Sequence, residues 1–159
     1  AKYKVGNEVP KVNARFSTMF RYKSFSVNTG FELRLGGQKL NSTLLNKVEN
    51  ARVASENVDR RLISERWKKP GDVAPFYDLK NTTTTKPTSR FVQDYNVLSL
   101  NTLTLGYDFK QEMIRKWGFS MLRLQFNMTD VARFSTVKQE RGLSYPFART
   151  FNVTLNASF

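Results

Sequence analysis

The stretch NARFSTMFRYKSFSVNTGFELRL, residues 13–35, decides the fold, because two long alternating segments follow one another within it. Apolar or threonine side chains occupy every second position, namely Ala14, Phe16, Thr18, Phe20 and Tyr22, then Phe25, Val27, Thr29, Phe31, Leu33 and Leu35. This period of two predicts strands with two different faces. The two residues between the segments, Lys23-Ser24, predict a tight hairpin.

Three further segments alternate in the same way. Together with the first two, they predict strands at about 12–22, 25–35, 91–107, 119–130 and 149–159, joined by alternately short and long connections. Within the third strand, Leu100 and Leu103 have opposite parity, which predicts a bulge near Asn101-Thr102. Between the second and third strands, Ser55–Trp67 predicts a short helix that begins at Ser55.

The length of the strands favours a membrane barrel. Soluble strands usually have about 5–6 residues, whereas a tilted strand needs about 9–11 to span a bilayer. Short turns at one end and long loops at the other are typical of outer-membrane barrels. The polar faces suit a wet lumen, and they carry Arg15, Arg21, Glu32, Arg34, Arg123 and Gln125. A soluble β-sandwich with one wet face is the alternative.

The number of strands is too small for a closed barrel. Membrane barrels have at least about eight strands, and an open sheet edge is not tolerated in lipid. We therefore expect this chain to be one part of a larger antiparallel β-barrel.

The composition narrows the chemistry. The 159 residues include no Cys and no His, which excludes disulfides, thiolate nucleophiles and Ser-His-Asp catalysis and leaves only carboxylate or Lys chemistry open. We expect no enzymatic activity, no metal site and no cofactor.

The 26 Lys and Arg against 13 Asp and Glu give a net charge of +13, which favours an anionic partner. The sequence also lacks the apolar runs of a membrane helix or a signal peptide.

Five motifs occur in a specific order. They are GNEVP (6–10) with FRYKSFSV (20–27), GGQ (36–38) with Asn41, RWKKPGD (66–72), SRFVQD (89–94) with LGY (105–107), and YP (145–146) with RTF (149–151) and the terminal Phe159. In this order they resemble the C-terminal end of the SusC/RagA-type TonB-dependent outer-membrane transporters of Bacteroidetes-type bacteria. The sequence departs from the family pattern at Ser24, where Gly is usual, and at Leu40, where Tyr is usual.

The resemblance implies a barrel of 22 strands with a plug domain in its lumen. This chain would supply the last five strands, with extracellular loops at about 36–90 and 131–148, while the plug, the TonB box and any signal peptide would lie upstream. The implied function is TonB-dependent uptake of glycans or oligopeptides across the outer membrane. The implied partners are the rest of the barrel and the plug, a SusD-like surface lipoprotein that acts as a lid, TonB, lipopolysaccharide with outer-membrane lipid, and the transported glycan or peptide.

The resemblance also implies roles for particular residues. The loop residues Arg66, Trp67, Lys68, Lys69 and Asp72 would contact the lid or the substrate, although Trp67 equally suits packing within the loop. The six polar-face residues would contact the plug or line a substrate path. Phe151, Val153, Leu155 and Phe159 would form the C-terminal signal for the barrel-assembly machinery.

Two other functions fit parts of the pattern. A basic, aromatic-rich β protein can bind single-stranded nucleic acid, but stacking grooves need aromatic and cationic side chains on one face, and here they alternate. We therefore expect no nucleic-acid partner. A structural or assembly role in an envelope complex is the other alternative.

Overall fold

Five strands form one antiparallel sheet in the computed structural model, which describes residues 5–81, 83–139 and 149–159. They are β1 (Val12–Tyr22), β2 (Phe25–Leu40), β3 (Val92–Asp108), β4 (Met121–Ser135) and β5 (Thr150–Ser158). Each strand pairs with the next one in sequence, so the sheet order is β1-β2-β3-β4-β5. The predicted all-β antiparallel architecture is confirmed.

The hairpin between β1 and β2 has the predicted two-residue turn. Tyr22 pairs directly with Phe25, and Lys23 adopts a positive φ of 52°. Tight hairpins need such left-handed residues because their twist then matches that of the strands. The pairing continues without a break to Val12 opposite Leu35. Each residue of the apolar face is therefore paired with a residue of the same face along the whole hairpin.

The bulge that was predicted near Asn101-Thr102 is confirmed. Phe31 pairs with Leu100 and Gly30 pairs with Thr102, which leaves Asn101 without a partner on β2. The extra residue brings Leu103 to the same face as Leu100, because it shifts the alternation by one position. Both halves of β3 therefore present their leucines to one side of the sheet.

Two strands run beyond their predicted ends at 35 and 130. Gly36 has a positive φ of 77° and lies at a register shift between Arg34 and Gly37, after which β2 continues to Leu40. The side chain of Asn96 on β3 accepts a hydrogen bond of 2.8 Å from the Gly36 N–H. The glycine pair thus forms a bulge inside β2 and does not terminate it. β4 likewise continues past Asp130, which has a φ of 53°, to Ser135.

Large apolar side chains are exposed on one face of the sheet, and polar side chains are buried on the other. A soluble sandwich has the reverse arrangement. On the apolar face, Phe16 is 47% exposed and Phe151 is 66% exposed. On the polar face, Ser26 and Glu32 are 3% and 9% exposed. Rings of neighbouring strands stack across the apolar face, with a centroid distance of 4.9 Å between Phe16 and Phe31. A large exposed apolar surface of this kind suits contact with lipid.

The segment between β2 and β3, residues 41–91, is called the long loop here and has a core of its own. Six of its side chains pack together, namely Leu44, Leu45, Val48, Leu62, Phe76 and Phe91. Its helical parts are a π-helical turn at Leu44–Glu49 and a short helix, α1, at Arg61–Ser64. A helix starting at Ser55 was a wrong prediction. The carboxylate of Asp59 accepts a 2.9 Å hydrogen bond from the Arg61 N–H, and the helix begins there.

The connection between β3 and β4 contains two short helical turns. It consists of a second short helix, α2 (Gln111–Ile114), and a 3₁₀ turn at Arg115–Trp117, and it ends at Gly118 with a φ of 82°. Across the described parts of the chain, helices are too short or too polar to span a membrane.

We predict that Phe91→Ala loosens the long loop. Phe91 is fully buried in the loop core, and truncation of such a ring typically costs about 3–5 kcal/mol. Limited proteolysis of the full-length protein is expected to cleave within residues 41–91 faster in this variant than in the parent. Ile63→Ala is the control, because Ile63 is 67% exposed in the same loop. Equal cleavage rates in the two variants would contradict the role of the core.

Candidate functional site: the polar face and the long loop

One ionic cluster on the polar face is centred on Glu32 and is called the Glu32 cluster here. Arg15 and Glu32 are directly paired across β1 and β2, and Arg34 follows two residues later on the same face. Glu32 Oε1 accepts hydrogen bonds from Arg34 Nη2 at 2.9 Å and from Arg15 Nη2 at 3.3 Å. Asn101 Nδ2 lies 3.5 Å from Glu32 Oε2, so the bulge residue also points to this carboxylate. Two guanidinium groups therefore share one acid.

A cavity of about 170 Å³ lies beside this cluster. It is lined by Glu32, Arg34, Val97, Ser99, Asn101, Asp130 and Arg133. Arg133 donates a hydrogen bond to the hydroxyl of Tyr95, and the ammonium group of Lys39 lies 5.0 Å from the centroid of the same ring. This half of the polar face is rich in cations, and the Tyr95 ring stabilises two of them.

A second ionic cluster, called the Asp108 cluster here, lies at the opposite end of the same face. Arg21 Nη2 is 3.6 Å from Asp108 Oδ2, and Arg123 Nε is 3.5 Å from Asp108 Oδ1. Arg123 Nη2 also donates a hydrogen bond of 3.2 Å to Ser26 Oγ. Here too, two guanidinium groups share one carboxylate.

The sheet brings together five of the six polar residues that the alternation singled out. Arg15, Glu32 and Arg34 lie in one cluster and Arg21 and Arg123 in the other. Gln125 lies on the same face, paired with Gly106 and Thr154.

Three residues of this face were not found from the sequence. Asn101 is the bulge residue, Asp108 follows the predicted end of its strand, and Arg133 lies in the part of β4 that was expected to be a loop. Continuing the alternation of β4 beyond Asp130 was the signal that would have found Arg133.

The long loop holds two of its five predicted contact residues through their own side chains. Arg66 is only 6% exposed, and its guanidinium donates to the backbone carbonyl of Glu49. Asp72 Oδ2 accepts hydrogen bonds from the backbone N–H groups of Lys68 at 3.2 Å and Lys69 at 3.1 Å. These contacts shape the loop; Arg66 is buried, whereas Asp72 is half-buried. The lysine side chains are exposed, and Trp67 is half-buried.

An ion pair between Arg90 and Glu49 links the end of the long loop to its π-helical turn, and it was not predicted from the sequence. The Glu49 side chain is 1% exposed and accepts a hydrogen bond from Arg90 Nη2. Arg90 also donates to the carbonyl of Pro75 at 2.9 Å and lies 4.8 Å from the centroid of the Phe91 ring. The pair is 41 positions apart, so no local pattern points to it.

The long loop also contacts the segment that follows β4. Arg61 Nη2 donates a 3.0 Å hydrogen bond to the carbonyl of Lys138, and Asn41 Nδ2 donates one of 3.4 Å to the same carbonyl. A bidentate pair with Asp59, at 2.8 Å for both contacts, fixes the guanidinium of Arg61. Hydrogen bonds from Arg61 hold the pKa of Asp59 below its ordinary value, against the opposing effect of partial burial.

The lowered pKa of Asp59 predicts a pH dependence of this contact between segments. The ion pair contributes fully above the ordinary carboxyl pKa of about 4, and its contribution is lost as the pH falls through the lowered value. Amide exchange around Asp59 and Lys138, expressed relative to the intrinsic exchange rate at each pH, is therefore expected to accelerate below about pH 4. The pKa of Glu56 is also lowered, chiefly by a hydrogen bond from Lys47.

Asp59→Asn is the control that separates the two carboxyl groups. This variant is expected to exchange faster than the parent at neutral pH and to show a smaller further increase in acid. An unchanged pH profile in the Asp59→Asn protein would contradict the assignment.

Comparison with curated proteins gives two relatives of one class, although no family model matches the chain. The chain is 28% identical to TonB-dependent receptor P3 of Formosa agariphila over an alignment of 184 residues, which covers 98% of this chain and 17% of that protein. It is 26% identical to TonB-dependent receptor P39 of the same organism, over 82% of this chain and 13% of that protein. The chain therefore spans about one sixth of the length of the first relative.

Comparison with solved structures gives the same architecture. The RagAB peptide importer in its open-open state matches with a TM-score of 0.69 and 15% identity, over 94% of this chain and 17% of the importer chain. The closed-closed state of that importer matches with a TM-score of 0.60 and 17% identity, over 82% of this chain and 14% of the importer chain. The motif-based prediction is thus confirmed: over part of their length, the chain is similar in sequence to TonB-dependent receptors and in fold to the RagAB peptide importer.

Proposed function

We propose that this chain supplies a section of the barrel wall and the extracellular loops of an outer-membrane importer of SusC/RagA type. It would form the last five strands of the barrel, and the rest of the barrel and the plug would come from the remainder of the transporter. The transported nutrients would be glycans or oligopeptides, captured beneath a SusD-like lipoprotein lid and released inward by TonB.

The observation that carries this proposal is the agreement of sequence and fold over almost the whole chain. The sequence similarity to a TonB-dependent receptor covers 98% of the chain, and the structural similarity to the RagAB peptide importer covers 94%. The distribution of side chains supports a membrane wall, since the aromatic residues of the described strands, apart from Tyr95, lie on the exposed face and the arginines on the other. A stacking groove for single-stranded nucleic acid would need both on one face.

The connections support an orientation in the membrane. The turn at Lys23-Ser24 and the short helical connection between β3 and β4 lie at one end of the sheet. We place that end in the periplasm and the long loop at the cell surface, as in outer-membrane barrels with short periplasmic turns. Trp67, Lys68, Lys69 and Asp72 are then the members of the predicted loop set with side-chain surface for a lid or a substrate.

The proposal is tested with the full-length protein in its own bacterium. Cell fractionation is expected to place it in the outer membrane, and affinity purification is expected to recover a surface lipoprotein with it. Deletion of its gene, and separately depletion of TonB, is expected to slow the removal of either a defined oligopeptide mixture or a defined oligosaccharide mixture from the medium. Recovery in the soluble fraction, or unchanged uptake of both mixtures, would contradict an importer.

We also propose that the end of β5 is read as an assembly signal. Phe151, Val153 and Leu155 share the apolar face of a strand that pairs on one side only within the described sheet, and all three are exposed. The Phe159 ring lies 4.9 Å from the Phe119 ring and is 90% exposed. A strand with a free edge and a regular apolar face can be captured by strand addition.

Deletion of Phe159 from the full-length protein is expected to reduce the amount that reaches the outer membrane. Folded barrels and unfolded chains migrate differently in unheated gel samples, which gives the measurement. Ser158→Ala is the matched control, because it changes the neighbouring residue and leaves the terminal ring in place. Equal outer-membrane levels of all three proteins would exclude a signal at Phe159.

A further inference from the structure

Another cavity, of about 230 Å³, lies within the long loop and is called the loop cavity here. Three charged side chains line it, namely Glu49, Arg52 and Arg66, and hydroxyl and amide groups of Asn81, Thr83 and Thr84 form much of the remaining wall. Sites for drug-sized ligands usually have about 300–1,000 Å³. The loop cavity is smaller than that, so it has room for one small and mainly polar unit.

Two buried polar atoms in the wall of the loop cavity have unmet hydrogen-bonding capacity. In the part of the chain that the structure describes, neither Glu49 Oε2 nor Arg66 Nε has a hydrogen-bond partner. Other atoms of both side chains are engaged. Glu49 Oε1 accepts from Arg90 Nη2 and Thr85 Oγ1, and Arg66 Nη2 donates to the Glu49 carbonyl. A buried acceptor and a buried donor are costly to leave unpaired, and one hydroxyl group meets both needs because it donates and accepts.

The loop cavity also has an excess of positive charge. Arg52 and Arg66 line it with one carboxylate, Glu49, which already has an ion pair elsewhere. Glu56, an acid close to Arg52, is itself paired with Lys47 at 2.9 Å. The Arg52 residue is exposed, so its guanidinium is accessible from solvent. The cavity therefore attracts an anion, and a carboxylate can accept two parallel hydrogen bonds from one guanidinium.

We infer that the loop cavity binds one acidic sugar unit, a ring that carries hydroxyl groups and a carboxylate. A ring hydroxyl accepts from Arg66 Nε and donates to Glu49 Oε2, while the carboxylate lies against the guanidinium of Arg52. Water would satisfy the two buried atoms as well, but it would leave the positive charge unmatched. A peptide would need a backbone N–H for one atom and a separate carbonyl for the other, whereas one hydroxyl serves both.

This inference deepens the proposed function and rests on it. That function places the long loop at the cell surface, where a sugar from the medium can reach the cavity, and it leaves glycans and oligopeptides open as the transported class. A site for an acidic sugar favours glycans.

Saturation-transfer NMR of the purified full-length protein in detergent tests the inference with a matched pair of sugars. Glucuronic acid and glucose have the same ring, but at neutral pH the first carries a carboxylate where the second carries a hydroxymethyl group. Glucuronate is expected to bind with a dissociation constant about threefold or more below that of glucose, because it adds an ion pair. A dipeptide of glutamic acid is the probe for a peptide ligand.

Arg52→Gln is the variant that tests the site without disturbing the loop core, to which Glu49 and Arg66 are bonded. It is expected to raise the dissociation constant of glucuronate to that of glucose and to leave glucose binding unchanged. Arg60→Gln is the matched control, because Arg60 is an exposed arginine of the same loop that does not line the cavity. This control is expected to bind both sugars as the parent does.

Three outcomes would overturn the inference. Equal affinity of the parent for both sugars, or no binding of either, would leave the two buried atoms to water. Tighter binding of the glutamic acid dipeptide than of glucuronate would assign the cavity to a peptide. Equal losses of glucuronate affinity in Arg52→Gln and Arg60→Gln would assign the effect to the charge of the whole loop. Outer-membrane location and uptake are measured separately, so the importer function stands if they persist while the sugar does not bind.

Discussion

Everything on this sheet depends on keeping the parity of the alternation from strand to strand. A slip of one residue would move arginines such as Arg15 and Arg123 to the exposed apolar face, where charge is expensive in lipid. The bulge at Asn101 maintains this parity in the middle of β3, where the sequence alone changes phase. The same residue lies beside the carboxylate of Glu32, so one inserted position serves both the register and the polar cluster.

The two faces of the wall follow from this constraint. Cross-strand aromatic pairs such as Phe16 with Phe31 occupy the exposed side, and carboxylates shared by arginines occupy the other. Neither arrangement suits an isolated soluble sheet, because the rings are exposed while the carboxylate of Glu32 is largely buried. Both suit a wall between lipid and a wet interior. The chain therefore makes physical sense as a section of a larger closed structure, in line with the barrel of the RagAB importer whose fold it matches.

The strands were predictable from the sequence because apolar and polar side chains alternate along most of each strand. The hairpin at Lys23-Ser24 and the bulge at Asn101 followed from local spacing alone. The end of β2 did not, because a glycine pair can either terminate a strand or form a bulge within it. Here the Gly36 N–H is bonded by the Asn96 side chain of β3, which is 60 positions away in the sequence. Two features of the long loop depend on how it folds back on itself, namely the burial of Arg66 and the pairing of Arg90 with Glu49. The alternation of residues in the sequence contains no information about either.

The long loop differs from most connections of its length because it buries six of its own apolar side chains. Its shape is therefore fixed largely by its own residues, including the Arg90–Glu49 pair. Mutations that alter the wall and mutations that alter the loop then act on separate cooperative units. Such an arrangement lets the sequence of the loop diversify while the strands that carry it stay in register.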